Sequence, residues 1–279
     1  MLCRVLQVTR AAYYQFTHRV VTESEAKQAQ IIAVIDQVRS QKHYDAYGSP
    51  RMHRELVGRG VKCCRNTVAK CMRNAGIRAK RRTKFRIATT DSNHNEPIAP
   101  NLLNQDFTTK TINQVWLTDI TYIPTKEGFT YLCAIVDLHS RKIIGWKTSR
   151  NIDSELAIKS LDQAIALRGP QPGLIVHSDR GCQYASEAFR HRLGDHEIIQ
   201  SMSRRGNCYD NAPMESFFKS YKTEAVNDEL YDTHEQATRG ASDYIEHFYN
   251  PRRLHSSLNY RSPIDFEQTI SVPSVVGEC

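Results

Sequence analysis

The sequence predicts a mixed α/β domain, a five-stranded sheet with flanking helices, preceded by a small all-α domain. Three observations carry this reading. Up to residue 77 the apolar residues recur at helical spacing, and after Gln114 they switch to short β-branched and aromatic runs separated by turn residues. The charge divides in the same region: residues 1–100 hold 19 basic and 7 acidic side chains, whereas the remainder is slightly acidic in a chain of net charge +8. At 279 residues the chain is also long enough for more than one domain. A basic front on a near-neutral body suggests a polyanionic partner, most simply nucleic acid.

Residues 1–19 read as a helical remnant, with Thr9 capping a short helix that carries Tyr13 and Tyr14. A second region, 20–77, opens on Thr22-Glu23-Ser24-Glu25, a capping box in which hydroxyl and carboxylate each satisfy a backbone N–H. Ile31, Val34, Ile35 and Val38 then trace an amphipathic helix ending near Ser40, and Tyr47-Gly48-Ser49-Pro50 breaks the chain. Helices over about 51–58 and 65–75 follow around Gly58-Arg59-Gly60, with Gly76 as the stop. Val68 and Met72 share one side of the second, leaving Arg65, Lys70 and Arg73 to face outward. That is helix-turn-helix geometry, although a helical bundle with a solvated basic face has the same pattern. Cys63-Cys64 stands where a Ser or Asn cap is expected.

Residues 78–107 read as a basic arm and linker. Arg78, Lys80, Arg81, Arg82, Lys84 and Arg86 put six charges into nine residues, which repel one another and favour an extended, phosphate-binding arm over packing. A merely solvated linker is the plainer alternative. Region 108–267 begins with strands over 115–123, 129–137 and 141–148, an antiparallel meander. A helix over 152–168 follows, with Ile158, Leu161 and Ile165 inward, then a strand at Leu174–Val176, a helix over 186–194 and a strand at Glu197–Ser201. The order βββαβαβ and then α is that of the ribonuclease H-like fold. Residues 268–279 are expected to form a flexible tail.

Three carboxylates stand out within this order. Asp119 lies inside the first strand between apolar neighbours, where a charge costs desolvation unless something neutralises it. Asp179 follows the strand at 174–176 directly, and Glu215 sits just behind Pro213, a residue suited to a first helical turn. Hard oxygen donors of this kind suit Mg²⁺ or Mn²⁺, and two such ions about 4 Å apart can activate an attacking oxygen and stabilise a leaving one at phosphorus. Lys222, seven residues past Glu215, projects from roughly the same helix face and is placed to hold a phosphate, or is simply an exposed helix lysine. His177, beside a sheet end, reads as an orienting hydrogen-bonder rather than a contact to DNA or a metal-bound water, and Trp116 as core rather than a base-stacking platform.

Membrane and metal-finger classes are excluded on simple grounds. No apolar run approaches a membrane span, and Arg4 interrupts the start before a signal-type core could form, so a cytoplasmic, nucleoid-associated protein is expected. The eight cysteines include no C-x-x-C pair and are expected to be reduced, with no redox or nucleophilic role for Cys182 or Cys208.

Taken together, Trp116–Ile123, His177–Tyr184 (HSDRGCQY), Gly206–Glu224 (GNCYDNAPMESFFKSYKTE) and Tyr249–Glu267 (YNPRRLHSSLNYRSPIDFE) resemble the second-reading-frame transposases of insertion-sequence family three, within the DDE group that includes retroviral integrases. Tyr47–Ile77 and Cys3–Tyr14 extend the resemblance over nearly the whole chain. The resemblance implies that Asp119, Asp179 and Glu215 form the catalytic metal-binding triad, that Lys222 is the basic, DNA-binding residue seven positions after the glutamate, and that two Mg²⁺ or Mn²⁺ ions serve each site. It also implies element ends and target DNA as partners, and a homo-oligomer on DNA. An upstream-frame product or fusion, bringing a further helix-turn-helix and a coiled coil not seen in this chain, is a further expected partner. Tyr249–Pro263 corresponds to a motif closing the core, in which Leu254, Leu258 and Tyr260 pack, and Arg252, Arg253 and His255 either support packing or touch DNA. Two other classes fit the same residues: a helix-turn-helix regulator with an inactive core, and a nuclease that cuts without joining.

Overall fold

A computed structural model describes residues 2–5, 7–18, 20–80, 96–205, 208–227 and 229–271. The chain falls into two units, Met1–Ala79 and Lys80–Cys279.

The first unit is helical. After α1 (Leu2–Val5), α2 (Arg10–Thr17) starts under Thr9, whose hydroxyl accepts from the Ala12 N–H at 3.1 Å. Both arms of the predicted capping box form at α3 (Glu23–Arg39): Glu25 N–H donates to Thr22 Oγ1 at 3.3 Å and Thr22 N–H to Glu25 Oε2 at 2.9 Å. Ile31, Ile35 and Val38 are buried along it. Pro50 corrects the expected break, because it lies in the first turn of α4 (Ser49–Gly58), where the missing N–H has no helical partner to lose. Met52 and Leu56 of α4 and Val68, Cys71 and Met72 of α5 (Arg65–Asn74) form the buried seam between these helices. The left-handed backbone at Gly60 (φ 83°) and Gly76 (φ 69°) turns the chain behind each helix, a conformation glycine takes without a Cβ clash. Cys64 takes the N-cap position of α5, and its Sγ lies 3.2 Å from Thr67 Oγ1.

The second unit is built on β1 (Val115–Thr125), β2 (Gly128–Asp137) and β3 (Ile143–Ser149), an antiparallel meander, followed by α6 (Ser154–Arg168). Next come β4 (Ile175–Ser178), α7 (Cys182–Ala185), α8 (Glu187–Gly194) and β5 (Ile199–Met202). The sheet order is β3-β2-β1-β4-β5, with β4 parallel to β1 and β5 parallel to β4. This is the expected mixed five-stranded sheet. Helix α9 (Ala212–Tyr221) runs into a π segment at Lys222–Val226, and α10 (His234–Ser242) into a second at Asp243–Tyr249, before α11 (Pro263–Ser271).

Local expectations shift in four places. The turn before β3 keeps Arg141 at φ 61°, and the Asp137 carboxylate accepts from His139 N–H and Ser140 N–H, so the strand begins at Ile143. Glu197 has φ 53°, which delays β5 to Ile199. Helix α6 buries Leu156, Ala157, Ser160, Leu161 and Ala164, leaving Ile158 and Ile165 only half-buried. The reason is close approach: a Cβ on Gly145 of β3 would collide with the Ser160 carbonyl oxygen and lie 3.0 Å from Ala164 Cβ, so small residues must face the sheet. Finally, α11 runs through Ser271, four residues into the expected flexible tail, and 272–279 lie outside the described residues. Trp116 is fully buried, in one core cluster with Ile135, Leu161, Val176 and Phe189. Among the described residues no helix is long and apolar enough to cross a membrane.

Candidate active site

Two of the predicted carboxylates meet through strand register. Leu117 of β1 pairs with His177 of β4 in the parallel ladder, so Asp119 and Asp179, each two residues further, leave neighbouring strands on the same side. Asp119 Oδ1 accepts from the Ile120 N–H at 2.8 Å, and Asp179 Oδ1 from the Gly181 N–H at 3.0 Å. Burial, then the Asp179 carboxylate and less strongly that of Glu215, hold Asp119 well above the usual carboxylate range, against the pull of the Ile120 N–H. The three groups therefore share one electrostatic neighbourhood, although among the described residues no three His, Cys, Asp or Glu side chains form a ready-made ion cage.

Glu215 reaches this neighbourhood because the start of α9 is tied to β1. Asn211, its N-cap, donates through Nδ2 to the carbonyl of Thr118 at 3.4 Å, one residue from Asp119, and its buried Oδ1 has no partner among the described residues. One residue earlier, fully buried Asp210 accepts from Arg204 Nε (3.0 Å), Nη2 (2.8 Å) and N–H (2.8 Å), from Asn101 Nδ2 (2.9 Å) and from Gln105 Nε2 (3.0 Å). Hydrogen bonds from Arg204 keep this carboxyl below its usual range. Asp210 was not singled out from the sequence. The signal lay inside GNCYDNAPMESFFKSYKTE, where an acidic residue stands just before a helix-opening Asn-Ala-Pro.

Behind β1, Thr118 Oγ1 lies 3.1 Å from the Tyr184 hydroxyl and 3.6 Å from Cys133 Sγ, a buried polar layer under the aspartates. His177 is buried between Ser201 Oγ (2.8 Å at Nδ1) and Ser203 Oγ (3.1 Å at Nε2), and burial lowers its pKa to about 4. It is held neutral, as an orienting group. Because its pKa is depressed on folding, this contribution is complete above pH 6.5 and is lost as the pH falls from 6.5 towards 4, on the order of 3 kcal/mol in all. Urea unfolding at pH 7 and pH 4.5 should show that loss, and His177→Gln should flatten it.

Lys222, at the start of the π segment, donates from Nζ to the Tyr122 carbonyl oxygen and sits 3.6 Å from the centroid of the Tyr122 ring. It is thus held on β1, three residues along from Asp119. In the first unit Arg65, Lys70 and Arg73 are exposed on α5, and Arg78 is exposed just past its end; Lys80, half-buried, belongs to the second unit. Arg81, Arg82, Lys84 and Arg86 lie outside the described residues. Arg252 and Arg261 are exposed, whereas Arg253 and His255 are buried, so the closing motif turns two of its four basic residues into the protein.

An integrase core domain family matches residues 110–208 and a second integrase core domain family 196–263, while an HTH-like domain family matches 25–85. The transposase for insertion sequence element IS904 of Lactococcus lactis is 42% identical over 227 residues, covering 81% of this chain and 89% of that protein. The transposase InsF for insertion sequence IS3A of Escherichia coli is 38% identical over 270 residues, covering 95% and 92%. The insertion element IS600 31 kDa protein of Shigella sonnei is 38% identical over 267 residues, covering 96% and 97%.

Proposed function

Because the chain belongs to the IS3-family insertion-sequence transposases, with an HTH-like domain ahead of an integrase core, we propose that Asp119, Asp179 and Glu215 hold two Mg²⁺ or Mn²⁺ ions and catalyse cleavage and joining of the element ends. The observation that carries this is the register that sets Asp119 beside Asp179, together with the repulsion that Asp179 and Glu215 exert on Asp119. The donor set fits such ions: three hard carboxylates, crowded enough that one resists ionising, are what a divalent cation relieves. When bound, the ions would lower the pKa of an attacking hydroxyl and stabilise the leaving oxygen at phosphorus.

The chain's own groups supply the rest. The Asn211–Thr118 bond and the Asp210 anchor keep Glu215 near β1, and neutral His177 braces β4 against β5 below Asp179. Lys222, held along β1, places a cation where a phosphate of the DNA would lie. Water and then a 3′-hydroxyl act as the attacking groups, and no side chain becomes covalently attached. The exposed basic side of α5 and the arm at 78–86 bind the duplex through phosphates, and oligomerisation on DNA brings two ends together.

The experiment is a plasmid carrying the terminal repeats, incubated with the protein and Mg²⁺. Joined element ends are expected. Cutting without joined product favours a nuclease, and metal-independent binding without strand chemistry favours a regulator. For the DNA face, replacing Arg65, Lys70 and Arg73 together with Ala should lower the slope of log affinity against log salt by about 2–3. An unchanged slope rules α5 out as that face.

A further inference from the structure

The closing motif holds a device that the triad does not explain. Glu224, in the π segment that begins at Lys222, and Arg253, behind the Asn250-Pro251 turn, form a bidentate ion pair with Nε–Oε2 and Nη2–Oε1 both at 2.7 Å. Each side chain is only 4% exposed. Tyr244, from the second π segment, donates its hydroxyl to Glu224 Oε2 at 2.7 Å, and Arg253 Nη2 also donates to Ser220 Oγ of α9 at 2.9 Å. Burial works against the guanidinium charge, but Glu224 outweighs it and keeps Arg253 protonated.

A buried pair of this kind rarely makes a protein more stable than apolar residues of the same volume would. What it does provide is direction, since a bidentate fork is satisfied in one geometry only. Its direction bears on the π segment, a distortion often found at functional sites. Widening the turn after Tyr221 changes the angle at which Lys222 leaves the helix, and Lys222 is the residue that meets the Tyr122 carbonyl and ring on the Asp119 strand.

We propose that Glu224 and Arg253 are positioning residues for the transfer reaction: their buried pair, steadied by Tyr244, holds the π turn so that Lys222 stays docked on β1 at Tyr122, three residues along from Asp119. The Tyr249–Pro263 motif thereby acts on the site at a distance. This rests on the transferase reading above, so Asp179→Asn is run alongside; if that variant joins ends as well as wild type, it is the reading that fails and not the pair.

The test is the double variant Glu224→Met/Arg253→Met, with Tyr244→Phe as the milder one. Expected for the double variant is an unchanged fold and melting temperature within a few degrees, DNA affinity within about twofold, and a joining rate lowered at least tenfold in kcat. Tyr244→Phe should lower the rate severalfold with the fold intact. Independently of activity, reductive methylation of Lys222, referenced to exposed Lys219 on α9, should become several times faster in the double variant. A double variant that fails to fold shows that the pair serves stability and overturns the proposal. So does a folded variant, double or single, with wild-type joining and wild-type Lys222 labelling.

Discussion

Asp179→Asn lowers joining of element ends by at least about 10³-fold while leaving the fold and DNA binding intact. The size follows from what is removed. The amide keeps the shape and can still accept from the Gly181 N–H at 3.0 Å, but it loses the charge that opposes Asp119 across the β1–β4 register. Loss of that charge weakens the hold on a divalent ion, and most of the rate at such a site comes from ion-assisted activation and leaving-group stabilisation. A second consequence goes in the opposite direction. With Asp179 neutral, one of the causes raising Asp119 disappears, so its pKa should fall towards the ordinary carboxylate range while burial and the Glu215 carboxylate keep it elevated. Single-turnover joining with labelled ends, together with ¹³C-carboxyl titration of Asp119, checks both. Wild-type joining by Asp179→Asn defeats the assignment of the site.

Arg253→Ala destabilises the second unit by about 3–5 kcal/mol, the cost of leaving a buried carboxylate without its partner. Glu224 would keep the Tyr244 hydroxyl at 2.7 Å, but one neutral donor does not replace a fork of two charged ones. Ser220 also loses its partner. Urea unfolding followed by tryptophan fluorescence measures the change, because Trp116 is fully buried in the same unit. A loss below about 1 kcal/mol would mean that water reaches Glu224 with little rearrangement. At such a site Arg253→Ala and the apolar double replacement should then behave alike, whereas the buried fork predicts that they differ sharply.

The carboxylates were legible because each broke a local rule. A charge inside β1, another at the end of β4 and a third behind a helix-opening Pro are visible one at a time, and the strand order then brings the first two together. The capping box at Thr22 was legible for a different reason, since its partners are only three residues apart. What escaped was set by tertiary contact. The rotated inner face of α6 depends on a missing Cβ at Gly145, which no periodicity within the helix reveals. The π segments leave no compositional trace, because one wider turn uses ordinary helix residues. Arg253 and Glu224 are 29 residues apart, and neither looks buried from its own neighbourhood. Helix α7 has four residues, too few for any period to show. Asp210 likewise draws its meaning from Asn101 and Gln105, more than a hundred residues away.

Manganese binding, read by electron paramagnetic resonance on the full chain without DNA, tests the shared ion site most directly. Wild type should take up Mn²⁺ at a saturable site, and Asp119→Asn, Asp179→Asn and Glu215→Gln should each weaken it by tenfold or more at unchanged melting temperature. If the variant carrying all three replacements binds Mn²⁺ as wild type does, these carboxylates are not the ion's ligands.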